Sequence, residues 1–237
     1  MVVSRPAWAG RGPAWTITRV SGPAGVLHAA GMPDPPERLI RWCEADAPTL
    51  VLGSAQAGSV VDADAAARAG LAVARRRSGG SSVVVGPGRL VWGDVVVPSG
   101  DPLWADDVGE AALWLGDAWA VTLGRLGVPG GAVHRGAMVR NEWSALVCFA
   151  GIGAGETLIG GRKVVGVSQR RTRLGALFQV AVLLRWDPQE AVAGLALPDD
   201  ARQVGAAALA EMAVGLDTLT GRRVGAAEVE AAFEAGL

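Results

Sequence analysis

Lysine is almost missing from this chain. Of 22 basic residues, Lys163 alone is not arginine. There is a single asparagine, Asn141, and no tyrosine. Such a bias is the mark of a GC-rich genome, in which lysine drifts to arginine wherever either will serve. A lysine that withstands the drift either holds a place where arginine's broad fork does not fit, or has survived by chance. Long apolar runs are missing too. None approaches the roughly 20 residues a membrane helix needs. The amino-terminal MVVSRPAWAGRGPAW has no continuous apolar stretch, so no signal peptide is expected. Excess charge is absent: the formal net charge is -1. That excludes bulk attraction to nucleic acid or to an anionic membrane, and any basic site must be local. The two cysteines, Cys43 and Cys148, show neither metal spacing nor a disulfide framework. A reducing cytoplasm is the expected setting. His28 and His134 do not form a metal set, and Glu142 and Glu156 show no paired-carboxylate logic.

What is present is ample for a core. The 237 residues are 50% hydrophobic, enough for one large domain. The first 40 residues are rich in proline and glycine, with one helix expected near 25–30. TLVLGSAQ (49–56) reads as a buried strand ending in a polar turn. DADAAARAG (62–70) reads as a short helix capped by Asp62 and stopped by Gly70. LAVARR (71–76) is a strand that delivers arginines to a loop at 77–82. Runs at 83–85 and 89–98 are strand-like, separated by Gly86-Pro87-Gly88. The clearest helix spans 106–127, where Ala111, Trp114, Leu115, Ala118, Trp119 and Leu123 make an apolar stripe. ALVCFAG (145–151) is a strand candidate. The segment 157–173 reads as a hairpin turning at Gly160-Gly161, and 176–186 as the next strand. Helices are expected at 187–195, 199–215 and 225–236. The economical fold is α+β: a mixed, mostly antiparallel sheet flanked by helices.

Two stretches carry chemistry. RRRSGGSSVVVGPGRL (75–90) runs three arginines into a turn of small residues. Ser78, Gly79, Gly80, Ser81 and Ser82 leave backbone N–H groups open to close approach. Arg75 and Arg76 add fixed charge. This suits a phosphate, a carboxylate or an acyl-phosphate; a solvated turn with an arginine cluster would read the same. It is not a Walker loop, since no Gly-Lys-Ser/Thr follows. In GGRKVVGVSQRR, Lys163 follows a tight turn, with Arg162, Arg170, Arg171 and Arg173 on the same hairpin. It would either bridge a carboxylate and a phosphate, stabilising charge that develops in transfer, or be an exposed strand lysine.

Together these stretches resemble the lipoate–protein ligase and octanoyltransferase family. RRRSGGSSVVVGPG is similar to that family's Arg-Arg-x-Ser-Gly-Gly-Gly loop. GGRKVVGVSQRRTRLGALFQVAVLL resembles its Gly-Arg-Lys hairpin and following strand, and TLVLGSAQ its earlier strand and Gln turn. The order is the family's, and the similarity runs from about residue 40 to 190. The resemblance implies the biotin/lipoate ligase catalytic fold, with 1–237 a single catalytic domain ending in a helical extension over about 187–237. It implies lipoate or octanoate as substrate and a lysine on a lipoyl carrier domain, of a 2-oxoacid dehydrogenase or glycine cleavage protein, as acceptor. In the ligases ATP and Mg²⁺ first make an acyl-adenylate. Arg75 and Arg76 match the paired arginines, with Arg77 at the variable place. Ser78, Gly79 and Gly80 match the loop, Gln56 the early glutamine and Lys163 the catalytic lysine. With Ser81 and Gly166, the loop residues and Gln56 are expected to hold the acyl-adenylate.

The pattern also departs from the family's. Ser81 replaces a third glycine, Val85 a common histidine, and Val180-Ala181 a common His-Gly pair. The extra carboxy-terminal domain of the larger ligases is expected to be absent or supplied by another chain. Three readings follow. The expected one is an ATP-dependent ligase that uses Lys163 as its charge anchor, with the other two as alternatives. A transferase would take the acyl group from a carrier donor onto a thioester at Cys148, which sits in VCFAG where some family transferases place theirs; a packing cysteine is the alternative for that residue. A non-catalytic acyl-binding paralogue would keep the pocket without the chemistry.

Overall fold

A computed structural model describes residues 12–237; most of the stretch in which no signal peptide is expected lies outside the described residues. Seven strands form the main sheet, in the spatial order β1 (Thr16–Gly22), β2 (Leu39–Ala45), β6 (Leu90–Pro98), β10 (Gly175–Leu183), β9 (Arg162–Arg171), β8 (Thr157–Ile159) and β7 (Ala132–Val133). Only β1 and β2 run parallel; the other neighbours are antiparallel. A second sheet places β3 (Thr49–Leu52) between β4 (Ala72–Arg75), which is parallel to it, and β5 (Val83–Val85), which is antiparallel. The helices are α1 (Ala24–Ala29), α2 (Ala63–Arg68), α3 (Leu113–Arg125), α4 (Pro188–Ala193), α5 (Asp199–Ala210), α6 (Leu216–Thr220) and α7 (Ala226–Glu234). The α+β architecture is the expected one. No helix among the described residues is long and apolar enough to cross a membrane.

Alternation along the central strands creates two faces. Val91, Val95, Phe178 and Val180 point to one side, into a core with Leu115 and Trp119 of α3 and Phe233 of α7. Leu90, Trp92, Ala181 and Leu183 point to the other, against Val51, Val85 and Phe149. The register then sets a polar row across that second face. Arg41 lies opposite Asp94, Asp94 opposite Gln179, and Gln179 opposite Ser168. Four strands thus contribute one polar side chain each to a line beneath the smaller sheet. The next rung is small and apolar: Cys43 and Ala181 flank Trp92, and Ala181 faces Gly166.

Several elements fall where the residue pattern puts them. Asp62 caps α2, its Oδ1 accepting from Ala65 N at 2.9 Å. Gly160 and Gly161 have φ of 58° and 80°, the two positive values that a two-residue type I′ hairpin requires. Others differ. The helix expected over 106–127 begins only at Leu113; before it Asp107 closes turns, its Oδ1 accepting from Glu110 N and its carbonyl from Ala111 N. The runs at 83–85 and 89–98 flank their turn but enter different sheets. Nothing in the pattern predicts β1 or β2. The segment 145–151 is not a strand. It forms turns, a single parallel bridge between Val147 and Ser82, and a 3₁₀ turn over Cys148–Ala150, because most of its carbonyls are taken by side chains rather than by a neighbouring strand, as the site shows.

Candidate active site

The glycine-rich loop leaves β4 at Arg75 and is tied down from both ends. Arg75 Nη1 donates to the carbonyls of Gly53 (2.8 Å) and Gln56 (2.6 Å). Gln56 Oε1 accepts from Gly53 N at 3.0 Å, and its Nε2 donates to the carbonyls of Ala145 (2.9 Å) and Leu146 (3.2 Å). Arg76 is 3% exposed and folds under its own loop. Its Nε and Nη2 donate to Gly79 O, and Nη2 also to Ser81 O at 2.8 Å. Its Nη1 is buried with no partner among the described residues. The packing is tight enough that a Cβ on Gly53 would lie 1.7 Å from Gly80 O. The loop is therefore not a solvated turn. Ser78 Oγ donates to Gln179 Oε1 at 2.6 Å and lies 2.9 Å from Ser168 Oγ. Ser81 and Ser82 donate to the carbonyls of Ser144 and Leu146. Arg77 stays exposed and lines a separate open cleft with Met32, Arg170 and Leu177.

Lys163 is 1% exposed, not an exposed strand lysine. Its ammonium has three protons and three acceptors: Glu156 Oε2 at 2.7 Å, Cys148 O at 2.8 Å and Gly151 O at 3.0 Å. The Phe149 ring lies below, 5.1 Å from Nζ. Glu156 is itself fixed, Oε2 accepting from Gly153 N at 2.7 Å and Oε1 from Val167 N at 3.1 Å. An arginine fork would not fit this compact cage, which accounts for the surviving lysine. Gly166 serves the same end: a Cβ there would stand 3.2 Å from Lys163 Cε. Of the hairpin arginines, Arg171 turns away, donating to Ala105 O at 2.6 Å and stacking on Trp104.

Cys148 lies where the two motifs meet. Its N–H donates to Ser82 O of the loop at 2.8 Å, and its carbonyl accepts from Lys163. Its side chain is half-buried, while Cys43 is buried and burial pushes its thiol well up from the usual range. The same clamps explain the lost strand: Leu146 O is taken by Ser82, Cys148 O and Gly151 O by Lys163, and Ala150 O by Asn141 Nδ2.

Residues that the pattern does not single out complete the site. His28 of α1 stacks on Trp92 at 3.9 Å between centroids. Gln179 Nε2 lies 3.2 Å from His28 Nδ1 and donates to Asp94 Oδ1 at 3.0 Å. Trp92 Nε1 donates to the same oxygen at 2.8 Å, and Arg41 Nη1 is 3.5 Å from Oδ2. Burial, and then the Arg76 charge, lower the His28 imidazole to about 3, so it is neutral. Burial also pushes the Asp94 carboxyl up, against the hydrogen bonds from Gln179 and Trp92. One signal for these residues was available: Asp94 and Gln179 are lone polar residues inside apolar strand runs, and buried polar groups need partners. Of the departures noted above, Val85 joins the apolar wall near the loop, but Val180 points to the opposite face, under α3. Its replacement of a polar residue therefore removes nothing from this side of the sheet. Among the described residues no three His, Cys, Asp or Glu side chains gather to hold a metal ion.

A family model, the lipoyl protein ligase A/B catalytic domain, matches residues 27–237. Octanoyltransferase LipM of Kyrpidia tusciae is 31% identical over 233 residues, covering 96% of this chain and 83% of that protein. Octanoyltransferase LipM of Moorella thermoacetica is 30% identical over 205 residues, covering 86% and 73%. Among solved structures, a lipoate-protein ligase A bound with ATP superposes with a TM-score of 0.68 at 19% identity, covering 96% of this chain and 83% of that one. The bi-partite lipoate protein ligase of Thermoplasma acidophilum gives 0.68 at 20% identity, covering 93% and 80%. At such identities the structural likeness is one of fold. The sequence match covers both motifs and the whole of the site, and the chain belongs to the lipoyl protein ligase A/B catalytic-domain family.

Proposed function

We propose that this protein transfers an octanoyl or lipoyl group from a thioester donor to the lysine of a lipoyl carrier domain, through a thioester on Cys148. The observation that carries the reading is the clamp on Cys148. The glycine-rich loop holds its N–H and Lys163 holds its carbonyl. A half-buried thiol then sits on the residue that both motifs hold, placed to attack a thioester carbonyl. The curated relatives at 31% and 30% identity supply the acyl class. The Cys148 thiolate attacks the donor's carbonyl carbon, a C–S bond to the enzyme forms, and the carrier thiolate leaves and takes a proton. The acceptor amine then attacks the enzyme thioester. An amide forms, the amine loses a proton, and the Cys148 thiolate is released. Lys163, its three protons taken by Glu156, Cys148 O and Gly151 O, holds the Cys148 backbone in place through both steps. Gln56, Arg75, Arg76, Ser78, Gly79, Gly80 and Ser81 shape the loop that closes over the acyl group, and Gly166 leaves room for the lysine stem. The chain acts as one catalytic unit, since Phe233 of α7 shares a core with the central strands.

The second reading is an ATP-dependent ligase, which retains Lys163 and needs no Cys148. Mg²⁺ would then arrive with the nucleotide. The intact mass of an apo-lipoyl domain separates the two. Incubation with this protein and an octanoyl thioester should add one octanoyl group, and Cys148→Ala and Lys163→Ala should each abolish it. Addition that instead requires octanoate with Mg-ATP, and survives Cys148→Ala, would establish the ligase. Addition with neither donor leaves the acyl-binding paralogue.

A further inference from the structure

The hydrogen bonds around Gln179 fix where the protons lie. Asp94 Oδ1 accepts the Trp92 indole N–H, so the Gln179 atom facing it at 3.0 Å is the amide nitrogen. Gln179 Oε1 therefore turns to Ser78, whose hydroxyl donates to it. The second amide proton of Gln179 then points at His28 Nδ1, which must accept. A neutral imidazole that accepts at Nδ1 carries its proton on Nε2. That Nε2–H is buried on a side chain only 6% exposed, and no described residue accepts it. Arg76 Nη1, on a side chain 3% exposed, is in the same condition. The two residues are neighbours through Ser78 and Gln179, and the Arg76 charge helps hold the imidazole neutral. Native proteins seldom leave one buried donor unanswered. The His28 donor lies one residue, Gln179, from Ser78 of the loop proposed to close on the acyl group.

We propose that His28 is a substrate-binding residue whose Nε2–H donates to the carbonyl oxygen of the acyl donor. The partner must be an acceptor, which a carbonyl oxygen is. Stacking on Trp92 fixes the ring plane, and the Gln179 bond fixes the tautomer, so the donor is set before substrate arrives. A donor on that oxygen withdraws electrons from the carbon that the thiolate attacks. The inference rests on the acyl-transfer reading for the identity of that oxygen.

The chain has only two histidines, so imidazole NMR can read His28 directly in a His134→Gln background. The expected spectrum is a neutral Nε2–H tautomer at pH 7. Saturating the Cys148→Ala form with octanoyl-CoA should shift that proton downfield. His28→Phe keeps the stack on Trp92 and leaves Gln179 its bond to Asp94. It should raise KM for octanoyl-CoA roughly tenfold, the loss of one buried hydrogen bond, and His28→Gln should recover part of it. An Nδ1–H tautomer would overturn the proposal. So would an unmoved Nε2–H at saturation, as for a water-bound donor, or a His28→Phe KM within about twofold of the parent. If no octanoyl reaches a lipoyl domain at all, the transfer reading fails, while the tautomer and the shift still decide the role of His28.

Discussion

At the scale of single residues, the cage around Lys163 makes a sharp energetic statement. Glu156 supplies its only carboxylate, at 2.7 Å, and both side chains are nearly sealed from water. Removing one partner of a buried pair leaves an uncompensated charge, which costs about 3–5 kcal/mol. Glu156→Gln should destabilise the protein by that amount in urea unfolding. Replacing both partners with apolar residues is often close to neutral. Glu156→Leu with Lys163→Met should therefore recover part of the stability while remaining inactive, since the cation is gone. A double variant as unstable as Glu156→Gln would mean that the lost bonds to Gly153 and Val167, not the ion pair, carry the cost. Composition alone singled out Lys163, as either a lysine that arginine cannot replace or a chance survivor. It did not disclose Glu156, because the pairing depends on the bulge between β8 and β9, and no local pattern shows that.

At the scale of elements, the glycine-rich loop separates glycines that the fold needs from one that it does not. Gly53 has Gly80 O where its Cβ would be, and Gly80 has a φ of 92°. Gly79 has open space around it and no positive φ. Gly79→Ala should thus change stability by no more than about 0.5 kcal/mol. Gly53→Ala should cost at least 1–3 kcal/mol by overpacking. If the loop closes over the acyl group, Gly79→Ala should still raise KM for the acyl donor several-fold without moving the melting temperature; an unchanged KM would place the acyl group elsewhere. The loop and the Lys163 hairpin were legible because their determinants are local: small residues in a turn, Gly-Gly at a type I′ position, and the apolar run of β10. Segment 145–151 misled for the opposite reason. Its apolar residues look like a strand, but distant Gln56, Ser82 and Lys163 take its carbonyls. β2 escaped notice because Arg41 and Glu44 interrupt its apolar pattern, and Arg41 is accommodated by Asp94 on the neighbouring strand and by the Gly31 carbonyl.

At the scale of the whole molecule, the His28 network joins parts far apart in sequence. Helix α1 meets β6, β10 and the loop after β4 through one imidazole, one amide and one carboxyl. Its protonation should register in global stability. The native imidazole is lowered to about 3, whereas an unfolded histidine titrates near 6.5. The unfolded chain therefore binds the extra proton first as the pH falls. The His28 contribution is fully present above about pH 6.5 and is lost on acidification toward 3, by up to about 1.4 kcal/mol per pH unit. Asp94 acts in the other sense: its carboxyl is pushed up, so the native state takes that proton more readily than the unfolded chain does. The raw pH profile mixes the two. The difference in unfolding free energy between the parent and His28→Phe isolates the histidine. That difference should be flat above pH 7 and should fall steadily below 6.5, with the parent losing ground to the variant. A gap that stays constant down to pH 4.5 would mean that the native imidazole protonates as freely as an unfolded one. The neutral His28 at the centre of this network would then be wrong.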